Sequence, residues 1–185
     1  METTESLKKL KENLKELIEN IDENVNSLYK IATYDQKTGL HNYRFFSELF
    51  EIEFEKAKRG NKLSLAIFDI DNFKEINTKI GHIKADYVLV KVARLLEKGL
   101  RKYDILARFG GEEFIVLLPG TNLKKARKVA ERIRKFIEKE FKEKITISGG
   151  LTEYRERDSI TKMKEKADMA LLKAKQQGKN RVEVA

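Results

Sequence analysis

At 185 residues the chain is long enough for one domain with a proper core plus an appendage, and with no cysteine it has no disulfide or thiolate metal site. It holds no apolar run of membrane-spanning length and no basic-then-apolar leader, so the expectation is a cytoplasmic protein without membrane contact. The net charge of +9 comes from basic residues that alternate with Glu along helical stretches such as 124–144, which fits solvated helix faces and argues against nucleic acid as a partner.

Residues 4–33 carry a continuous helical pattern. Leu7, Leu14, Ile21 and Leu28 occupy one heptad position, and Leu10, Leu17, Asn24 and Ile31 the other. This 3-4 spacing predicts a coiled coil, hence a homodimer, with Asn24 as a polar interruption that fixes register at some cost in stability. The alternative is a helix packed on its own domain, with Ile18, Val25 and Ala32 widening the stripe. It is less favoured because no Gly or Pro turn folds the segment back. The breaker Asp35-Gln-Lys-Thr-Gly39 then divides a dimerisation helix over 1–34 from a globular domain over 35–185.

Within that domain a helix is expected over 42–59, with Phe45, Phe46, Leu49, Phe50 and Phe54 inward. Residues 63–68 read as a buried strand, followed by a short helix over 72–78. A longer helix over 83–100 buries Val88, Leu89, Val92, Leu95 and Leu96. The paired glycines Gly110-Gly111 between apolar runs predict a β-hairpin over 105–118. A helix over 122–140, a strand over 145–148, a helix over 159–177 and an edge strand over 181–184 complete an α/β sandwich. The composition, 37% charged with a single proline, leans towards a heat-tolerant (thermophile) source.

The hairpin tip runs straight into Glu112 and Glu113. Folding does not require adjacent acids, which repel one another, and a bound cation would relieve that repulsion. Asp69, at the end of the strand over 63–68, offers the other half of such a site, and hard oxygen ligands of this kind suit Mg²⁺ completed by phosphate. An EF-hand is excluded, because Lys74 stands at the sixth loop position and Ile80 at the twelfth. Asp69 and Asp71 as simple caps of the next helix is the minority reading once the acidic tip is counted. Glu113 ranks below Glu112, since neighbours on a strand point to opposite faces.

Four ordered motifs together resemble the GGDEF family of diguanylate cyclases over residues 35–184. They are Asp35-Gln-Lys-Thr-Gly-Leu-His-Asn42 with Arg44 and Phe46; Asp69 to Lys74 through Asn77, Gly81-His82 and Asp86; Gly110-Gly-Glu-Glu-Phe114; and Ala167-Asp168 through Ala174-Lys175 to Gly178-Lys179-Asn180. The resemblance implies a mostly antiparallel five-stranded sheet wrapped by helices, similar to nucleotidyl cyclases and polymerase palms. It makes 35–185 a catalytic domain that condenses two GTP into cyclic di-GMP and two pyrophosphates across a dimer, with Mg²⁺ or Mn²⁺ as cofactor.

Asp69 and Glu112 are the expected carboxylate ligands of the metal, with Glu113 a lower-ranked ligand for a second ion, and the resemblance adds the Ile70 carbonyl. By the same resemblance Glu112 also accepts the proton, and Lys74 stabilises the transition state. Asn77 and Asp86 read guanine, His82 is a third substrate position, and Lys175 and Lys179 meet phosphates. Arg101 and Asp104, with five residues between Asp104 and Gly110, resemble the family's Arg-x-x-Asp product-inhibition site, to which Arg132 is added. Thr78, Ala85, Leu172 and Lys179 depart from the usual Asp, Gly, Tyr and Arg. Two other readings are a catalytically dead nucleotide receptor, disfavoured by the intact Gly110-Gly-Glu-Glu-Phe114, and a cyclase for another nucleotide, disfavoured by Asn77 and Asp86.

Overall fold

The structure, a computed structural model, describes the backbone of residues 2–185 and the side chains of residue 7 and of residue 9 onwards. Helix α1 spans Glu2–Thr33; Met1, which opens the expected 1–34 segment, lies outside the described residues. The domain then runs β1 (His41–Asn42), α2 (Tyr43–Lys58), β2 (Leu63–Ile70), α3 (Phe73–Ile80), α4 (His82–Lys98), β3 (Ile105–Gly110), β4 (Glu113–Pro119), α5 (Leu123–Glu140), β5 (Ile147–Glu153), α6 (Ile160–Gln176) and β6 (Val182–Val184).

The sheet order is β1-β3-β4-β2-β5-β6. Central strand β2 pairs antiparallel with β4 and β5, and β3 pairs antiparallel with β4. The outermost strands are parallel to their neighbours, β1 to β3 and β6 to β5. The sheet therefore has six strands rather than the expected five. The addition is β1, two residues of the opening motif laid along the edge of β3, too short to show an alternating pattern in sequence.

All eight residues of β2 are buried, which is why it reads as an unbroken apolar run. Leu63, Leu65 and Ile67 join Ile115 and Leu117 under α2 and α6, whereas Ala66, Phe68 and Ile70 join Phe114, Val116 and Leu118 under α4 and α5. The alternation places Asp69, next in the odd-numbered row, on the α2/α6 face at the sheet's end. In α2 the rings of Phe46, Phe50 and Phe54 stack edge to face in series and are buried, while Phe45 and Leu49 stay half-buried.

Strand β5 is longer than the expected 145–148, because Gly149-Gly150 interrupts the apolar pattern inside it. Gly150 is required by packing: a Cβ there would lie 2.0 Å from the Ala167 carbonyl oxygen on α6. Together with buried Ala167, Ala170 and Ala174 it lets α6 lie close on the sheet, and this carries Lys175 to the strand ends.

Helix α1 leaves its seam uncovered within one chain. Leu7, Leu14, Ile21 and Leu28 are 60%, 49%, 51% and 66% exposed, and Leu10, Leu17 and Ile31 are similarly open. The alternative of packing onto its own domain does not occur. Asn42 joins this helix to the domain: its Nδ2 donates to the Ala32 carbonyl at 2.9 Å, while its Oδ1 accepts from the Phe45 N–H at 2.9 Å and caps α2. No helix among the described residues is long and apolar enough to cross a membrane.

Candidate active site

The β2–β4 register sets Asp69 directly opposite Glu113, so both carboxylates leave the same face of the sheet. Burial pushes the Asp69 carboxyl above its ordinary range; Lys175 opposes that shift, and the charges of Glu112 and Asp71 reinforce it. Burial also raises Glu113, with Asp69, Asp168 and Glu112 adding to the effect and Lys175 opposing it. The Lys175 ammonium stands 2.8 Å from Asp69 Oδ2 and is the nearest positive charge to the pair.

Glu112 belongs to the turn rather than to the strand, which starts at Glu113 after a register shift between Arg108 and Gly110. The two glutamates therefore do not alternate as neighbours within a regular strand. Glu113 faces Asp69, and Glu112 lines an adjoining cleft. The Glu112 carbonyl accepts from the Ile70 N–H at 3.4 Å, which ties the turn to the end of β2. Among the described residues no three His, Cys, Asp or Glu side chains converge on one point.

Asp71 has a different role from its neighbour. It is only 5% exposed and accepts from Thr146 Oγ1 and Ser148 Oγ, each at 2.6 Å, and from the Asn180 N–H at 3.0 Å. It binds β2 to β5 and to the C-terminal loop, and it does not cap α3. Asn72, the residue before α3, adopts a left-handed φ of 57° and makes no capping bond either.

The cleft has a volume of 600 Å³ and opens between α3, α4 and the hairpin turn. It gathers Lys74, Asn77, His82, Asp86 and Glu112, five of the residues singled out from sequence. Asn77 Oδ1 is buried there without a hydrogen-bond partner. Lys175 and Lys179 do not line this cleft; Lys175 holds Asp69, and the Lys179 ammonium bonds to Asn72 Oδ1. A larger cleft of 810 Å³, bordered by Lys62, Arg127 and Glu153, contains none of the singled-out residues and lies away from the acidic pair.

Two cleft residues were missed in the sequence. Arg108 donates to both oxygens of Asp35 at 3.2 Å and to the Gly111 carbonyl at 2.7 and 3.1 Å, clamping the opening loop to the hairpin turn. Burial works against the Asp35 carboxylate, but bonds from Thr38 and the Arg108 charge hold it below its ordinary range. Lys37, in the same loop, reaches Asp86 Oδ1 at 2.7 Å. The signal for both was their place inside or beside quoted motifs; what sequence lacked was the fold that brings 35–39 against 86 and 111.

On the other side of β1 a smaller cleft of 280 Å³ is lined by Arg101 and Asp104 together with Tyr34 and His41. Asp104 Oδ2 accepts from the Arg101 N–H at 2.8 Å. Burial raises its carboxyl, while Arg101 and Arg132 act to lower it, so all three residues are neighbours. Arg132 meanwhile donates to the Gly99 carbonyl at 2.7 Å.

Residues 32–181 match the family described as diguanylate cyclase, GGDEF domain. The chain is 44% identical over 161 residues to diguanylate cyclase DgcP of Pseudomonas aeruginosa, covering 83% of this chain and 24% of that protein. It is 40% identical over 170 residues to diguanylate cyclase A of Treponema denticola, covering 86% of this chain and 46% of the relative. The chain thus spans less than half the length of either relative. Among solved structures, the coiled coil and GGDEF domain of DgcB from Caulobacter crescentus, in complex with c-di-GMP, superposes with a TM-score of 0.86 at 28% identity, covering 97% of this chain and all of that one. The active GGEEF domain of a diguanylate cyclase from Vibrio cholerae gives 0.74 at 36% identity, covering 77% of this chain and 96% of that one. With the match spanning most of the chain and including its Gly110-Gly-Glu-Glu-Phe114, this protein belongs to the GGDEF-domain family of diguanylate cyclases.

Proposed function

We propose that the chain is a diguanylate cyclase that joins two GTP into cyclic di-GMP with release of two pyrophosphates. The observation that carries this reading is the single cleft holding Asn77, Asp86, Lys74 and Glu112 beside the acidic pair Asp69 and Glu113. The donor set fits a divalent cation: two facing carboxylates whose ionisation burial disfavours already draw an ammonium to 2.8 Å. With no third side chain converging among the described residues, Mg²⁺ or Mn²⁺ would be held by Asp69, Glu112 or Glu113, the Ile70 carbonyl and phosphate oxygens, the mixed set usual for Mg²⁺. When bound, such an ion neutralises charge on the phosphates and polarises the α-phosphate.

The chain's own groups supply the rest. Asp86 and Asn77 receive the guanine edge, Lys74 meets phosphate oxygens and stabilises the transition state, and His82 contacts the substrate in the same cleft. Lys175, beside Asp69, and Lys179, beside Asn72, take phosphate charge once the nucleotide is seated. The 3′-hydroxyl oxygen of one GTP attacks the α-phosphorus of the other, the bond to the β-phosphate breaks, and Glu112 takes the hydroxyl proton. One domain presents one such cleft, so the cyclic product requires two domains face to face. The uncovered seam of α1, the proposed 1–34 dimerisation helix, supports pairing by a coiled coil with the catalytic domain over 35–185.

The test is incubation with GTP and Mg²⁺ followed by chromatography of the nucleotides, with Glu112→Gln as control. Cyclic di-GMP and pyrophosphate should appear with the wild type and fall by at least ~100-fold with the variant, the scale of losing an acid–base group. GTP left intact by the wild-type dimer would refute the assignment.

A further inference from the structure

We propose that Lys37 is a base-reading residue that donates to the 6-oxo oxygen of guanine, a role that rests on the guanine-nucleotide reading above. The observations are its position and its partner. Lys37 lines the 600 Å³ cleft together with Asn77 and Asp86, and its ammonium lies 2.7 Å from Asp86 Oδ1. The Watson–Crick edge of guanine carries two donors, N1–H and the 2-amino group, beside an acceptor at O6. A carboxylate facing the donors and an ammonium beside it facing the acceptor match that order.

The acceptors are already present in the cleft. Asp86 has one oxygen that Lys37 does not bond, and the buried Asn77 Oδ1 has no partner. A ligand N–H is what the buried Asn77 Oδ1 lacks, since buried polar atoms are normally paired, and the open Asp86 oxygen can accept a second. Lys37, the cation that already reaches the base-reading carboxylate, stands beside the Asn77 carboxamide as a charged donor for O6.

Lys37 is also held on a fixed platform. Asp35 Oδ1 accepts from the Thr38 N–H at 2.8 Å and from Thr38 Oγ1 at 2.7 Å, and Arg108 grips the same carboxylate from β3. The backbone of the loop is thus fixed, while the lysine tip is held only by a solvent-exposed ion pair. Both side chains of the Lys37–Asp86 pair are 44% exposed, and ion pairs that open to water contribute little, so the ammonium can swing to a base at small cost. Its ammonium pairs with Asp86 here; with guanine bound it lies between Asp86 and O6.

The test compares binding of two α,β-methylene triphosphates, which cannot release pyrophosphate, to the full chain by titration calorimetry. One carries guanine; the other carries 6-thioguanine, which keeps N1–H, the 2-amino group and N7 but has a weakly accepting sulfur in place of O6. Lys37→Met should weaken the guanine nucleotide about tenfold, the size of one charge-assisted hydrogen bond, and weaken the 6-thioguanine nucleotide much less. Lys37→Arg should restore most of the guanine preference. Equal weakening of both nucleotides would mean that Lys37 acts only as general positive charge and would overturn the inference. Tighter guanine binding by Lys37→Met would overturn it too, since Lys37 would then block the cleft. If the wild type bound neither nucleotide, the cyclase reading itself would fall, an outcome separate from any effect of Lys37.

Discussion

Asp69 and Glu113 face each other across the β2–β4 ladder, and burial lifts both carboxyls above their ordinary values of 3.8 and 4.5. Like charges set directly opposite on a sheet cost roughly 0.2–1 kcal/mol. Their ionisation therefore opposes folding. That cost is absent below the ordinary values, develops as pH climbs towards the raised ones, and is constant above them. In metal-free buffer Glu113→Gln should stabilise the protein by about 0.5 kcal/mol at neutral pH and by nothing at low pH. Added Mg²⁺ should raise the wild-type melting temperature more than that of the variant. Denaturant melts across pH, with and without Mg²⁺, check both; a gap that ignores pH would show that the repulsion is not there.

Asp71, two residues on, should behave in the opposite way. Its carboxylate takes three hydrogen bonds in a buried position, and Asp71→Ala leaves Ser148 Oγ and the Asn180 N–H without their acceptor. Each such loss costs about 1–3 kcal/mol, so the variant should be destabilised by roughly 3 kcal/mol in urea melts. Asp71→Asn, which keeps one acceptor oxygen, should lose less. Wild-type stability in Asp71→Ala would mean that these bonds contribute nothing net.

These two aspartates, two residues apart, take different roles for reasons that are not local in sequence. The strand, the hairpin and the acidic tip were legible because an apolar run, a Gly-Gly pair and adjacent carboxylates each have a local physical meaning. The sorting of Asp69 from Asp71 was not, because it depends on Thr146, Ser148 and Asn180, which sit on other elements. Lys37 and Arg108 carry no local signal for the same reason, since their partners Asp86 and Asp35 lie 49 and 73 residues away. Strand β1 escaped because two residues carry no period. The end of β5 escaped because Gly149 and Gly150, chosen for closeness to Phe68 and α6, look like a turn.

The exposed seam of α1 leads to a third outcome. Two copies pairing along Leu7, Leu10, Leu14, Leu17, Ile21, Leu28 and Ile31 would remove these side chains from water, and Asn24 would sit among them. Deleting residues 1–33 should turn a dimer into a monomer by light scattering, and specific activity should then fall steeply on dilution. Asn24→Leu should raise the melting temperature while admitting other oligomers, because a buried Asn fixes strand number at the expense of stability. Unchanged mass together with unchanged specific activity after the deletion would defeat the coiled-coil assignment.

The smaller cleft beside β1 carries the last prediction. Arg101 and Asp104 both line it; Asp104 is tied to the backbone of Arg101 rather than to its guanidinium, and Arg132 is near enough to act on the same carboxylate. An exposed surface ion pair is therefore not what the two residues form. The Arg101 guanidinium is exposed and is free to donate two parallel bonds to O6 and N7 of a guanine, while Asp104 can accept from N1–H and the 2-amino group. Arg132 would add its charge to a phosphate of the same ligand. Cyclic di-GMP, which carries two guanines and two phosphates, suits such a set and could bridge it to a second domain, holding the two GTP clefts apart. Wild-type reactions should slow well before GTP is consumed, and Arg101→Ala should convert more GTP at a similar initial rate. The check is a pair of progress curves with and without added product. Superimposable curves for the two proteins in the presence of product would remove the inhibitory role from this cleft and leave Asp104 as the closing hydrogen bond of a turn.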